Sequence, residues 1–163
     1  MEALLRRVYE SPGLAHAMRI LSVLCVAAAL PVYGILIWKS LSVSVVDLLL
    51  LLVITGVPFV LVTLLRRAIN APRPYELYSF YSVPPKNKSG RSFPSRHVFS
   101  IFLIGTAATF PYPLLGISLL ALGIVMAVCR VLLGIHFIRD VVAGAVLGAV
   151  CGVIGVLIAQ PFI

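Results

Sequence analysis

The sequence predicts an all-α integral membrane protein: a bundle of about five transmembrane helices, with a short interfacial helix at the N-terminus. Three observations lead there. Of 163 residues, 61% are hydrophobic and only 11% charged, with a mean hydropathy of +1.13. One soluble core of this length cannot hide so much apolar surface, whereas lipid can absorb it. The apolar residues also fall into five runs, and one long polar region, Asn70 to Pro94, divides them.

The runs extend from Ile20 to Trp38, Val45 to Leu65, Val98 to Phe110, Leu114 to Leu133 and Val141 to Ala159. A helix needs about 20 residues to cross ~30 Å of hydrocarbon, and four runs meet that length. The third reaches it only if its helix begins near Ser95. That start would put the quartet PSRH, residues 94 to 97, at the membrane interface. FPYP at 110 to 113 reads as a tight turn, because its prolines fix the backbone and remove donors. Gly144, Gly148 and Gly152 form a stripe at spacing four. Such a stripe permits close helix approach, and packing inside this bundle is favoured over a dimer contact.

Met1 to Glu10 would be the interfacial helix, with Leu4, Leu5 and Val8 opposite Arg6 and Arg7. The N-terminal stretch lacks the small-residue cleavage site of a signal peptide, so no removed segment is expected. Cys25, Cys129 and Cys151 all lie in apolar runs and read as free, buried thiols. Within the polar region, Tyr75, Tyr78, Phe80 and Tyr81 suit the headgroup layer, as an interface anchor or as a flap over a lipid-binding mouth. The whole chain, residues 1 to 163, reads as a single membrane-embedded domain.

Thirteen basic residues against five acidic give a net charge of +8. No basic run with interleaved aromatics stands clear of the apolar segments, so nucleic acid is not expected as a partner. The alternatives are basic loops that follow the positive-inside bias and an anion site. Position decides between them. If the runs alternate direction, the end of the second, the start of the third, the end of the fourth and the start of the fifth share one membrane face. Those places carry Arg66 and Arg73, then Ser95, Arg96 and His97, then Arg130, and finally His136 and Asp140. Ionisable groups are expensive near hydrocarbon, so this convergence asks for a function.

The chemistry that suits the set is phosphoryl transfer. Several guanidiniums can hold non-bridging oxygens and neutralise transition-state charge without a metal. One histidine can attack phosphorus while another protonates the leaving oxygen. His136 and Asp140, four apart, would share a helix face, so that the carboxylate holds one ring nitrogen and frees the other. No Walker loop is present, and carboxylates are too few for a two-metal phosphatase.

Three stretches now resemble the signature of the type-2 phosphatidic acid phosphatases, relatives of the vanadium haloperoxidases. Its parts are K-x6-R-P, P-S-G-H and S-R-x5-H-x3-D. Here they read RRAINAPRP with Arg66 and Arg73-Pro74, then PSRH, then CRVLLGIHFIRD with Arg130, His136 and Asp140. The resemblance covers residues 66 to 140. It implies a membrane lipid phosphatase in which His136 is the nucleophile, Asp140 orients it and His97 is the general acid. Arg73 and Arg130 would bind the phosphate, with Arg66 in place of the family lysine, and Ser95 would add a hydroxyl donor. No metal or other cofactor is implied. The expected partners are a membrane lipid phosphate and the bilayer, and the oligomeric state stays open.

Three departures matter. Arg66 for lysine replaces a point charge by a planar fork, and Cys129 replaces a serine. Arg96 replaces a glycine, which costs energy if the backbone there needs positive φ. Arg96 would either reach a second phosphate or point to solvent and headgroups. The family also usually has six spans, so one early span is expected to be missing here, or to be replaced only in part by the N-terminal segment. A degenerate site that merely binds anionic headgroups is the main rival, and vanadate-dependent peroxidase chemistry a second.

Sidedness sets two arguments against each other. With five spans, 12 basic residues lie on the site's side and only Lys39 lies across. The positive-inside rule then favours a cytoplasmic site. The family resemblance favours an extracytoplasmic one, and that is the expectation adopted.

Overall fold

The computed structural model describes residue 8 and residues 10–78 and 89–159. The described chain forms six helices, α1 (Pro12–Val43), α2 (Val45–Ile69), α3 (Pro74–Leu77), α4 (Arg96–Thr109), α5 (Pro113–Leu132) and α6 (Ile138–Ala159). The expected N-terminal interfacial helix falls outside the described residues except for Val8 and Glu10, and so do Phe80 and Tyr81. Among the described helices, α1, α2, α5 and α6 are long and apolar enough to cross a membrane. Their outward faces keep Leu24, Leu30, Leu61, Ile117, Val146 and Leu157 exposed, as lipid-facing positions should be. The protein is a multi-pass, all-helical membrane bundle.

Proline and serine place the boundaries. Pro12 and Pro113 stand at the first turns of α1 and α5, where the missing N–H is no loss. Between α1 and α2 stands a single extended residue, Ser44. Its N–H bonds to Ser40 O at 3.0 Å. Its Oγ accepts the Asp47 N–H at 3.0 Å and donates to Asp47 Oδ2 at 2.9 Å, which caps α2 reciprocally. Phe110 and Pro111 form the expected turn into α5.

The third run departs from expectation in length. Its helix does begin beside Ser95, at Arg96, but α4 has only 14 residues. They rise about 21 Å, short of the ~30 Å core. The shortfall is matched by position. α4 is the central helix, packed against every other long helix, with Val98, Phe99, Ile101, Leu103 and Ala108 buried.

The closest neighbour of α4 is α6, and the glycine stripe explains why. A Cβ at Gly144 would stand 2.6 Å from Ser95 O, and one at Gly148 would stand 2.4 Å from Phe99 O. The stripe therefore serves packing inside the bundle, as expected. Cys25 and Cys129 are buried and Cys151 half-buried, all three free.

Residues at the end of α1, the start of α2 and the ends of α4 and α6 line one cavity at one end of the bundle. The end of α2, the start of α4 and the end of α5 line another. The long helices thus alternate in direction, as the convergence of polar residues requires.

Adding a methyl group at the tight crossing should be costly and at a lipid-facing glycine harmless. Gly148→Ala should lower stability by about 1–3 kcal/mol through overpacking. Gly34→Ala, where no atom lies within 4 Å, should not. Thermal unfolding of the two variants in detergent checks the contrast.

Candidate active site

Each signature stretch is a helix end with a specific backbone solution. α2 stops at Ile69 because Asn70 adopts a left-handed conformation (φ 43°) and caps Arg66 O with its N–H at 3.1 Å. Arg73 follows in extended conformation, with Pro74 opening α3. The spacing of six therefore straddles a helix stop. Arg66 stays on the last turn, and Arg73 is carried around it into a buried position.

Arg66 holds the loop that leads into α4. Its Nη1 donates to Ser92 O at 3.3 Å and also to Pro94 O, and its Nη2 donates to Arg91 O. Arg73 Nε donates to Gly90 O at 3.0 Å, and the Gly90 N–H donates to Glu76 Oε1 at 2.6 Å. Ser92 N–H reaches Ala71 O at 2.9 Å, and Ser95 N–H reaches Asp140 O at 2.8 Å. Gly90 and Arg91 both take positive φ, 63° and 54°, so this wall of contacts fixes a bent segment.

The third stretch is a wrapped helix terminus. Gly134 at φ 64° reverses the chain after α5. The N–H groups of Ile135 and His136 then both return to Arg130 O, at 3.1 and 3.2 Å. The five-residue spacing is what this wrap consumes. One expectation needs correction here. His136 and Asp140 do not share a helix face, because α6 begins only at Ile138 and His136 stands in the loop before it. Their pairing comes instead from Asp140 in the first turn of α6. Its Oδ2 accepts the Phe137 N–H at 3.0 Å and lies 3.5 Å from His136 Nδ1.

Ser92 completes that pair, and it was not among the residues singled out from sequence. Its Oγ lies 3.2 Å from His136 Nδ1 and donates to Asp140 Oδ2. All three side chains are buried. The direction of the Ser92 bond makes its oxygen the acceptor for a proton on His136 Nδ1. The Nε2 lone pair is then free on the other edge of the ring. Ser92 stands 44 residues from His136 and 48 from Asp140. The one sequence signal was a serine in the polar segment just ahead of PSRH.

Arg66, Arg73, Arg96, His97, Arg130 and His136 all line one cavity of about 520 Å3, together with Arg67, Arg91, Thr63, Ser89, Gly90 and Ile135. Six of the eight residues named from sequence are therefore brought to its wall, and Asp140 lies directly behind His136. Ser95 is not on the wall. It is fully buried, and its Oγ has no hydrogen-bond partner among the described residues. Arg96 opens α4 without positive φ, so an arginine in place of the family glycine carries no backbone penalty here. Its guanidinium lies over the Phe59 ring, 5.4 Å from the centroid. Cys129, where the family has serine, is buried in α5 and off the cavity wall.

A family model for the PAP2 superfamily matches residues 47–162. The chain belongs to this superfamily. That is the family whose signature the three stretches resemble. The lipid A 1-phosphatase of Rhizobium johnstonii is 32% identical to this PAP2 chain over 93 residues, 55% of the chain and 38% of that relative. The chain thus spans well under half of that relative's length. The structure of a PAP2-type phosphatidylglycerolphosphate phosphatase from Bacillus subtilis superposes with a TM-score of 0.72 at 21% identity, covering 98% of this chain and 84% of the other. LpxE from Aquifex aeolicus gives 0.64 at 22% identity, covering 95% and 93%. These two likenesses establish a shared membrane fold.

Burial holds the His136 imidazole below the usual histidine pKa, and the charge of Arg73 pushes the same way, against the pull of Asp140. The ring therefore stays neutral to lower pH than a free histidine at about 6.5. Titration of the His136 ring nitrogens by NMR in micelles should give a midpoint under that value. Asp140→Asn removes the one anion that favours the charged ring, so it should lower the midpoint further. A midpoint above that of free histidine would contradict the burial argument.

Proposed function

We propose that this PAP2 protein is a metal-independent lipid phosphatase that hydrolyses a phosphomonoester or diphosphate of a membrane lipid through a phosphohistidine. The observation that carries the reading is the His136 ring. Its Nδ1 edge is held by Ser92 and Asp140, and the residue lines a cavity walled by six arginines. In the reaction, His136 Nε2 attacks phosphorus while Arg73 and Arg130 hold the non-bridging oxygens as their charge grows. His97, on the first turn of α4, donates a proton to the leaving oxygen. Water then hydrolyses the phosphohistidine, with His97 taking the water's proton, and inorganic phosphate departs. Arg66 contributes charge and the position of the 91–94 carbonyls.

The substrate's apolar tail remains in the bilayer beside the exposed helix faces while its headgroup enters the cavity. Polyprenyl diphosphate, phosphatidic acid, phosphatidylglycerol phosphate and a lipid A phosphate all have this form. The activities of the relatives, on lipid A and on phosphatidylglycerolphosphate, support the class. The protein would lie in the cell membrane with its site facing outward.

His136→Ala should abolish phosphate release, and His97→Ala should lower kcat by about 10²–10⁴ with substrate still bound. Arg130→Lys should also lose most activity, since a point charge cannot replace a bidentate fork. Release of phosphate from a lipid panel measures all three. Trapping with 32P-labelled lipid should label wild type and leave His136→Ala unlabelled. Binding of anionic lipid without phosphate release by the wild type would favour the headgroup-binding rival. Vanadate should inhibit; conversion of the protein to a peroxidase by vanadate would favour the second rival.

Sidedness is read by one exposed loop position. Ser89→Cys in a cysteine-free background should react with an impermeant maleimide on intact cells. Reaction only after permeabilisation would place the site in the cytoplasm.

A further inference from the structure

The cations of the cavity stand at two depths. Arg73 and His136 are buried, and Arg130 and His97 half-buried, whereas Arg67, Arg91 and Arg96 are exposed at the mouth. Among the described residues no carboxylate lines the cavity, and the Glu76 carboxylate nearby is bonded to the Gly90 amide. A phosphomonoester brings at most about two negative charges, which the inner guanidiniums Arg73 and Arg130 can match. The three outer guanidiniums make no ion pair among the described residues. Arg96 is also fixed in place, by the first turn of α4 and by the Phe59 ring. It directly precedes His97, which lines the same cavity and is the proposed proton donor to the leaving oxygen.

We propose that Arg96, with Arg67 and Arg91, forms a second anion subsite that selects a lipid diphosphate over the corresponding monophosphate. The inference rests on the phosphatase reading and names its substrate class. The terminal phosphate enters the inner tier, and the second phosphate stays at the mouth beside Arg96. A bond forms between His136 Nε2 and the terminal phosphorus. The bond from that phosphorus to the bridging oxygen breaks, with its electron pair left on the second phosphate. Lipid monophosphate departs, water hydrolyses the phosphohistidine to inorganic phosphate, and the proton released passes to solvent. A phosphate leaving group has a second pKa near 6, so it can leave unprotonated with its charge held by Arg96. An alcohol leaving group needs the proton of His97.

The test uses the full chain in nonionic detergent, free of other anionic lipid, with a diphosphate and a monophosphate of the same apolar alcohol. Wild type should show a kcat/KM at least about tenfold higher for the diphosphate, and Arg96→Ala should erase most of that preference. His97→Ala should cost the monophosphate more than the diphosphate. Equal kcat/KM for both lipids in wild type, or a ratio unchanged in Arg96→Ala, would overturn the subsite. So would equal losses on both lipids in Arg96→Ala restored by added anionic lipid, since the mouth would then read neighbouring headgroups. Calorimetry on His136→Ala separates this inference from the catalytic reading. Tighter binding of inorganic pyrophosphate than of orthophosphate, lost on adding Arg96→Ala, upholds the subsite even if no lipid is hydrolysed. Equal binding of the two anions overturns it.

Discussion

The Ser95 amide donates to the Asp140 carbonyl at 2.8 Å, and much of the site hangs from the place where that bond forms. There α4 and α6 begin side by side. Only glycine at 144 and 148 lets their backbones come so close, because a methyl group at either would strike a main-chain oxygen. Two helix N-termini thus meet at one point, and their aligned dipoles favour an anion between them. His97 rides on the first turn of one, and Asp140 on the first turn of the other. The loops are then pinned around this junction, by Arg66 and Arg73 on one side and by the wrap at Gly134 on the other.

Much of this was legible in the sequence, for an identifiable reason. Helix ends leave short-range marks. Asn70, Pro74, Pro113 and Gly134 are residue types that stop or start helices, and the motif spacings count the residues those stops consume. Four of the five apolar runs gave their helices within four residues at either end, whereas α1 starts eight residues before its run and ends five after it. The alternation of direction alone placed Arg73, Arg130, His97 and His136 on one face.

What escaped was long-range or directional. Ser92 works through partners more than 40 residues away, and no local pattern marks a serine for that. The carbonyl contacts of Arg66 depend on a bent loop whose conformation no propensity reveals. His136 and Asp140 were paired correctly for the wrong geometric reason, since a spacing of four was read as a helical face when it spans a loop and a first turn. Ser95 showed the converse: its hydroxyl was expected at the phosphate, and its side chain is instead turned into the protein.

The single-residue joint at Ser44 bears on how such a chain enters a membrane. With no polar loop between α1 and α2, the two cannot be threaded as independent segments separated by a hydrated linker. They form a helical hairpin, and its tip carries only Lys39 and Asp47 as ionisable groups. Asp47 is buried there and bonded to Ser44, which lowers the cost of holding its carboxyl at the edge of the hydrocarbon. The hairpin is thus a suitable unit for insertion during synthesis. On the proposed outward orientation that tip stays on the side of synthesis, and the far richer set of charges on α4, the wrap and α6 is what has to be translocated, at much greater cost.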